Sequence, residues 1–176
     1  DLGKYYAILQ QSNEASQNEY KQYFKSLNLN FDQMRMGTSY NSKNNSSFLT
    51  VREIRDLIKK RAVDIAQPDL GSCGGITAMK HIIALCVSEG IQINPHVWGS
   101  SILQSASLQI LASLPVVHFN RNPVEPLLEY DCSDHPFRKK LTLNPIIAKK
   151  GFVEIPSNFG IGAEVNEDYL QKYEFT

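Results

Sequence analysis

Asp69, His96 and Glu129 are of types, and at places, that could carry out proton transfer. Each ends or follows a short apolar run that reads as a strand: residues 63–66 before Asp69, 91–97 around His96, and 127–130 around Glu129. In parallel α/β architectures functional groups gather at the carboxyl ends of strands. An Asp beside a His orients the imidazole and raises its basicity, which is the logic of a general base. A carboxylate at the next strand end could hydrogen-bond a substrate. Each residue also has a plainer reading. His96, near Pro95 and Trp98, could be a structural imidazole; Asp69, after Pro68, a turn-former or helix cap; Glu129 a solvated rim carboxylate. His81 falls within a helical pattern and His118 and His135 within loops, and no role is assigned to them.

These residues need elements that bring three strand ends to one rim, and the rest of the chain supplies the pattern. KYYAIL at 4–9 reads as a strand and 10–17 as a polar loop. Tyr20, Phe24 and Leu27 give 18–27 helical spacing, and 33–36 is a short strand ending at Gly37. The Asn/Ser-rich stretch 39–47 is a loop. Thr50 followed by Glu53 is a capping-box pattern opening a helix over 51–61. Gly74-Gly75 precedes a helix over 76–88 with Gly90 past its end, and Gly99-Ser100 opens a helix that runs through Leu114 to Pro115. The tail holds a GFVEIP segment, a Gly160–Gly162 turn and a short amphipathic stretch. No internal repeat is present. Strand–helix alternation at this spacing predicts an α/β fold of about five parallel strands with helices on their outer faces.

At 176 residues and 42% hydrophobic the chain can bury a core. Lys plus Arg and Asp plus Glu are both 18, so the net charge is zero and the electrostatic case for a nucleic-acid or polybasic membrane binder falls away. No apolar run approaches the roughly 18 residues that span a bilayer. Cys73, Cys86 and Cys132 lack metal-type spacing and read as incidental thiols of a reducing compartment, giving a cytoplasmic expectation. The start at Asp1 rather than Met sets the expectation of a portion of something longer.

The run from Ala62 to Ser101, with its Q-P-D, G-G-I-T and P-H-V-W-G motifs, resembles the mandelate racemase and muconate lactonizing branch of the enolase superfamily. So do LLEYD at 127–131 and the closing segment 151–173. The flavour is that of sugar-acid dehydratases and galactarolactone cycloisomerase-like members. The resemblance covers about residues 49–173 and implies the C-terminal part of a (β/α)7β TIM-like barrel. Residues 1–176 then form a single partial barrel domain: a diverged early segment (1–48), a well-matched segment (49–137) and a tail packing back (138–176), with the family's capping domain absent.

The resemblance implies abstraction of the proton alpha to a carboxylate, with His96 as base, Asp69 as its partner and Glu129 at the substrate carboxylate. It also implies Mg²⁺ held by three carboxylates on earlier strands. The family's Glu in a G-E motif corresponds to Thr38, and the place of its E-E-P motif reads Ile8-Leu9-Gln10, so the ligands are missing from this chain. Whether the chain is an enzyme is therefore open. One reading is a lyase or isomerase of a sugar acid (dehydration, racemisation or cycloisomerisation). Another is a catalytically inactive, truncated member with a structural or partner-binding role, and a third is a carboxylate-binding module. A five-strand arc would leave two open edges, so the expected partners are a small-molecule carboxylate and either further copies or a second polypeptide completing the barrel, with no nucleic acid and no membrane.

Overall fold

The computed structural model describes residues 4–10, 36–37, 50–115, 127–132 and 134–174. Strands β1 (Lys4–Gln10) and β2 (Met36–Gly37) come first. Helix α1 (Val51–Lys59) starts as the capping pattern predicts: Thr50 Oγ1 accepts from the Glu53 amide at 3.4 Å, and the Glu53 carboxylate accepts from the Thr50 amide at 2.8 Å. Its buried residues are Ile54, Leu57 and Ile58, one face at helical spacing. Strand β3 (Ile65–Ala66) leads through Asp69 to α2 (Gly75–Ser88), entered through Gly74 at φ +112°, where a side chain would be strained. Strand β4 (Gln92–Ile93) leads to α3 (Ser101–Ala112), capped by Ser100 Oγ accepting from the Leu103 amide at 3.2 Å. Strand β5 (Leu127–Asp131), α4 (Pro136–Lys139), β6 (Phe152–Glu154), α5 (Glu167–Leu170) and a 3-10 turn (Gln171–Tyr173) complete the described elements.

The fold is α/β with its first five strands paired in parallel, divided between two three-stranded sheets ordered β2-β3-β4 and β5-β1-β6. The regular pairing of β3 with β4 is short, Ile65 opposite Gln92 and Ala66 opposite Ile93, but the ladder continues beyond it. The Asn94 amide donates to the Ala66 carbonyl and the His96 amide to the Pro68 carbonyl, both at 3.0 Å, and Asp69 and His96 form a parallel bridge. Two features depart from a simple arc. The first strand stands beside β5, Ile8 opposite Glu129 and Gln10 opposite Asp131, and the antiparallel β6 covers the other edge of β1. A strand edge exposes unpaired amides and carbonyls, and β1 supplies partners for those of β5. The helix expected over 18–27, the loop over 39–47 and Thr38 lie outside the described residues.

Two apolar clusters hold these elements. One joins α1, α2 and the outer faces of β3 and β4, with Ile54, Met79, Ile82 and Cys86 fully buried. The other joins Leu108 and Leu111 of α3 to Val97, Leu128 and Val153. Helix α3 serves both, since its Ala106 and Ile110 belong to the first cluster. The tail is tied back by the Gln109 side chain, which donates to the Pro156 carbonyl at 2.9 Å. Gly162 sits at φ +78° against Pro156, where a Cβ would lie 2.3 Å from the proline Cβ. Among the described residues no helix is long and apolar enough to cross a membrane.

Candidate active site

Strand alternation places the chemistry. Ile93 and Val97 pack into the apolar clusters, so Gln92, Asn94 and His96 face the other way. The Gln92 side chain donating to Asn94 Oδ1 at 3.3 Å agrees with that assignment. On β5, Leu128 and Tyr130 pack toward α3, which turns Leu127, Glu129 and Asp131 to the opposite face.

There His96 meets Glu129, its Nδ1 lying 2.5 Å from Glu129 Oε2. The same oxygen accepts from the Val97 amide at 2.8 Å. A carboxylate only accepts, so Nδ1 donates the proton and Nε2 keeps its lone pair in the neutral ring. Among the described residues Nε2 has no hydrogen-bond partner. The His96 side chain is 24% exposed and that of Glu129 9%, so the pair is shielded but reachable. The imidazole is held above the ordinary histidine pKa, first by its hydrogen bond to Glu129 and further by the charges of Glu129, Asp69 and Asp131; burial opposes the shift.

Asp69 lies at the bridge to His96 but acts differently from the role the resemblance implies. Its Oδ1 accepts from the Gly71 amide at 2.7 Å and its carbonyl from the Cys73 amide at 2.8 Å, so it shapes the turn into α2. Its influence on His96 is through charge, and the ring's hydrogen bond goes to Glu129. The structure thus brings all three sequence candidates to one rim and makes Glu129 the direct partner of the imidazole.

Sequence reasoning missed Asp131 and Arg138. Arg138 Nη2 pairs with Asp131 Oδ2, and Nη1 donates to the Asp131 carbonyl at 2.9 Å. Both residues are buried. Alternation along LEYD could have placed Asp131 on the Glu129 face; nothing local separates Arg138 from the neighbouring Lys139 and Lys140.

A Mg²⁺ site does not fit this donor set. Glu129 is committed to His96 and the Val97 amide, Asp131 to Arg138, and Asp69 to the Gly71 amide. Among the described residues no group of three or more His, Cys, Asp or Glu is placed to hold a metal ion.

Parallel strands with outer helices and a histidine–carboxylate pair at the strand ends define a partial barrel-type α/β domain. Residues 45–169 match the family described as enolase C-terminal domain-like, and the chain belongs to that family. The chain is 40% identical over 112 residues to D-galactarolactone cycloisomerase of Agrobacterium fabrum, covering 64% of this chain and 30% of that protein. It is 25% identical over 125 residues to D-gluconate dehydratase of Thermoproteus tenax, covering 71% of this chain and 24% of that protein. The chain thus spans 30% or less of the length of these two relatives. The crystal structure of 3,6-anhydro-D-galactonate cycloisomerase from Zobellia galactanivorans superposes with a TM-score of 0.68 at 28% identity, over 90% of this chain and 40% of that one. A member of the enolase superfamily from Polaromonas gives 0.61 at 30% identity, over 74% of this chain and 33% of that one. The chain is therefore an enolase-superfamily protein related to sugar-acid cycloisomerases and dehydratases.

Proposed function

We propose that this chain carries the base of a sugar-acid lyase or isomerase, with His96 Nε2 taking the proton alpha to a substrate carboxylate. The observation that supports this most is the 2.5 Å contact of His96 Nδ1 with Glu129, which puts the proton on Nδ1 and leaves the lone pair on Nε2. The C–H bond breaks, its electron pair moves into the enediolate, and the proton forms an imidazolium. Glu129 stabilises that cation and keeps the ring aimed. Its other oxygen, Oε1, has no partner among the described residues and can accept from a substrate hydroxyl. Asp69 supports the cation through charge. The imidazolium then gives its proton to a departing hydroxyl, which completes dehydration, or to a departing ring oxygen, which opens a lactone; racemisation would need a second proton donor on the opposite face.

The test is α-proton exchange in D₂O with galactarate-derived lactones, anhydrogalactonate and gluconate, followed by NMR. Exchange by the wild type that is lost in His96→Asn supports the reading. Absent exchange, or equal exchange by both chains, removes His96 as base. A second reading is a carboxylate-binding member without turnover, in which Glu129 and His96 hold the substrate. Calorimetric binding of a sugar acid with no exchange would select it.

We also infer that further polypeptide, a second copy or another part of a barrel, packs against this chain. Among the described residues the strands form two three-stranded sheets, and Leu143, Ile147 and Phe159 are exposed. Sedimentation as a stable compact monomer would count against this. Cys73, Cys86 and Cys132 are all free thiols, which supports a reducing, cytoplasmic setting.

A further inference from the structure

Strand β5 turns two carboxylates to the same face, and only Glu129 is bonded to the imidazole. Asp131 is instead gripped by Arg138, whose guanidinium takes both the Asp131 carboxylate and its carbonyl oxygen. Arg138 reaches in from α4, a short helix opened by Pro136, and its side chain is 6% exposed. A guanidinium forked on one residue and withdrawn from water is fixed in place rather than a mobile counter-ion.

Among the described residues three carboxylates act on His96. Glu129 and Asp131 come from β5 and Asp69 from the end of β3. The β1 residues in register with Glu129 and Asp131 are Ile8 and Gln10, neither titratable, and α3 carries no titratable side chain. Arg138 is the cation held next to this set. Cys132 senses the same pair of charges: burial raises its thiol pKa most, Asp131 raises it further and Arg138 lowers it.

We propose that Arg138 is a positioning residue for His96 that acts through Asp131: by pairing with the second inward carboxylate of β5, it tempers the negative charge that Asp131 adds to that of Glu129 at the imidazole. This rests on the reading of His96 as the base. Without the guanidinium, more of the Asp131 charge would act on the imidazole, hold it in its charged form and reduce the share of chains able to accept a proton. An Arg138 without Asp131 would act in the opposite sense.

The experiment is titration of the imidazole signals of the whole chain by ¹H–¹⁵N NMR. The chain has four histidines, and His96 is assigned by its loss in His96→Asn. Asp131→Asn is expected to move the His96 midpoint to lower pH, and Arg138→Gln to higher pH. The double variant, which restores neutrality, is expected to return it toward the wild-type value. If Arg138→Gln does not fold, Asp131→Asn and the double variant carry the test. A His96 midpoint unmoved by Asp131→Asn, or moved in the same direction by both single changes, would overturn the proposal. The readout needs no turnover. Absent α-proton exchange with opposed NMR shifts would sink the catalytic reading and leave the positioning role standing.

Discussion

Behind β3 and β4 the packing is entirely apolar: Met79 and Ile82 of α2 lie fully buried against Ile54 of α1 and the outer faces of the strands. On one face of β5 two of the buried groups are charged, with Glu129 on His96 and Asp131 on Arg138. Volume is what matters in the first region, because close-packed side chains respond to every lost methylene. Pairing is what matters in the second, because a buried charge is tolerated only with its partner. The first region holds β4 in place, and the second meets the imidazole that follows β4.

Changes on either side can break or sharpen that contrast. The largest expected effect is on chemistry: His96→Asn should lower the α-proton exchange rate by about 10²–10⁴-fold, with a smaller fall in the urea midpoint because Glu129 loses its ring partner. A collapse of stability instead would make His96 part of the packing. The exchange rate of the wild type should rise with pH through a value above the ordinary histidine pKa, since the free base does the work. The stability that His96 contributes runs the other way. It is fully present below the unfolded-state value and lost as pH rises through the raised folded-state value, so His96→Asn should flatten the pH dependence of unfolding. Next is Arg138→Met, expected to cost about 3–5 kcal/mol in urea unfolding, because the buried Asp131 loses its guanidinium; a loss of a few tenths would mean that the pair is solvated. Ile82→Ala should cost about 2–5 kcal/mol yet leave the His96 titration where it is. Movement of that titration would erase the distinction between the regions. Thr50→Ala, which removes one half of the capping box, should cost about 1 kcal/mol by the same measurement and leave the site untouched.

What could be read in the sequence follows from how local each cause is. The start of α1 was legible because Thr50 and Glu53 complete each other within one turn. The strand ends at Asp69, His96 and Glu129 were legible because short apolar runs and turn residues mark them, and the motifs around them are specific. The pairing of β1 with β5 was not, since no residue in either strand names its neighbour across more than a hundred positions. Nor was the His96–Glu129 bond foreseen: the sequence offered Asp69 as the partner, and that carboxylate is taken up by the turn amide of Gly71. Arg138 was hidden for a related reason. Its burial is decided by Asp131 and by Pro136 starting a helix of only four residues, too short to leave a periodic signal.

Glu129 is held on one oxygen from two directions, by a ring and by the main chain at Val97. No side-chain substitution removes the main-chain half of that grip. A His96→Gly chain should therefore keep its carboxylate aimed into a gap the shape of an imidazole. Imidazole added to the solution would find the acceptor already waiting, and the protein would borrow its base from the buffer. Exchange activity would then become a saturable function of imidazole concentration, rising with the basicity of substituted imidazoles small enough to enter.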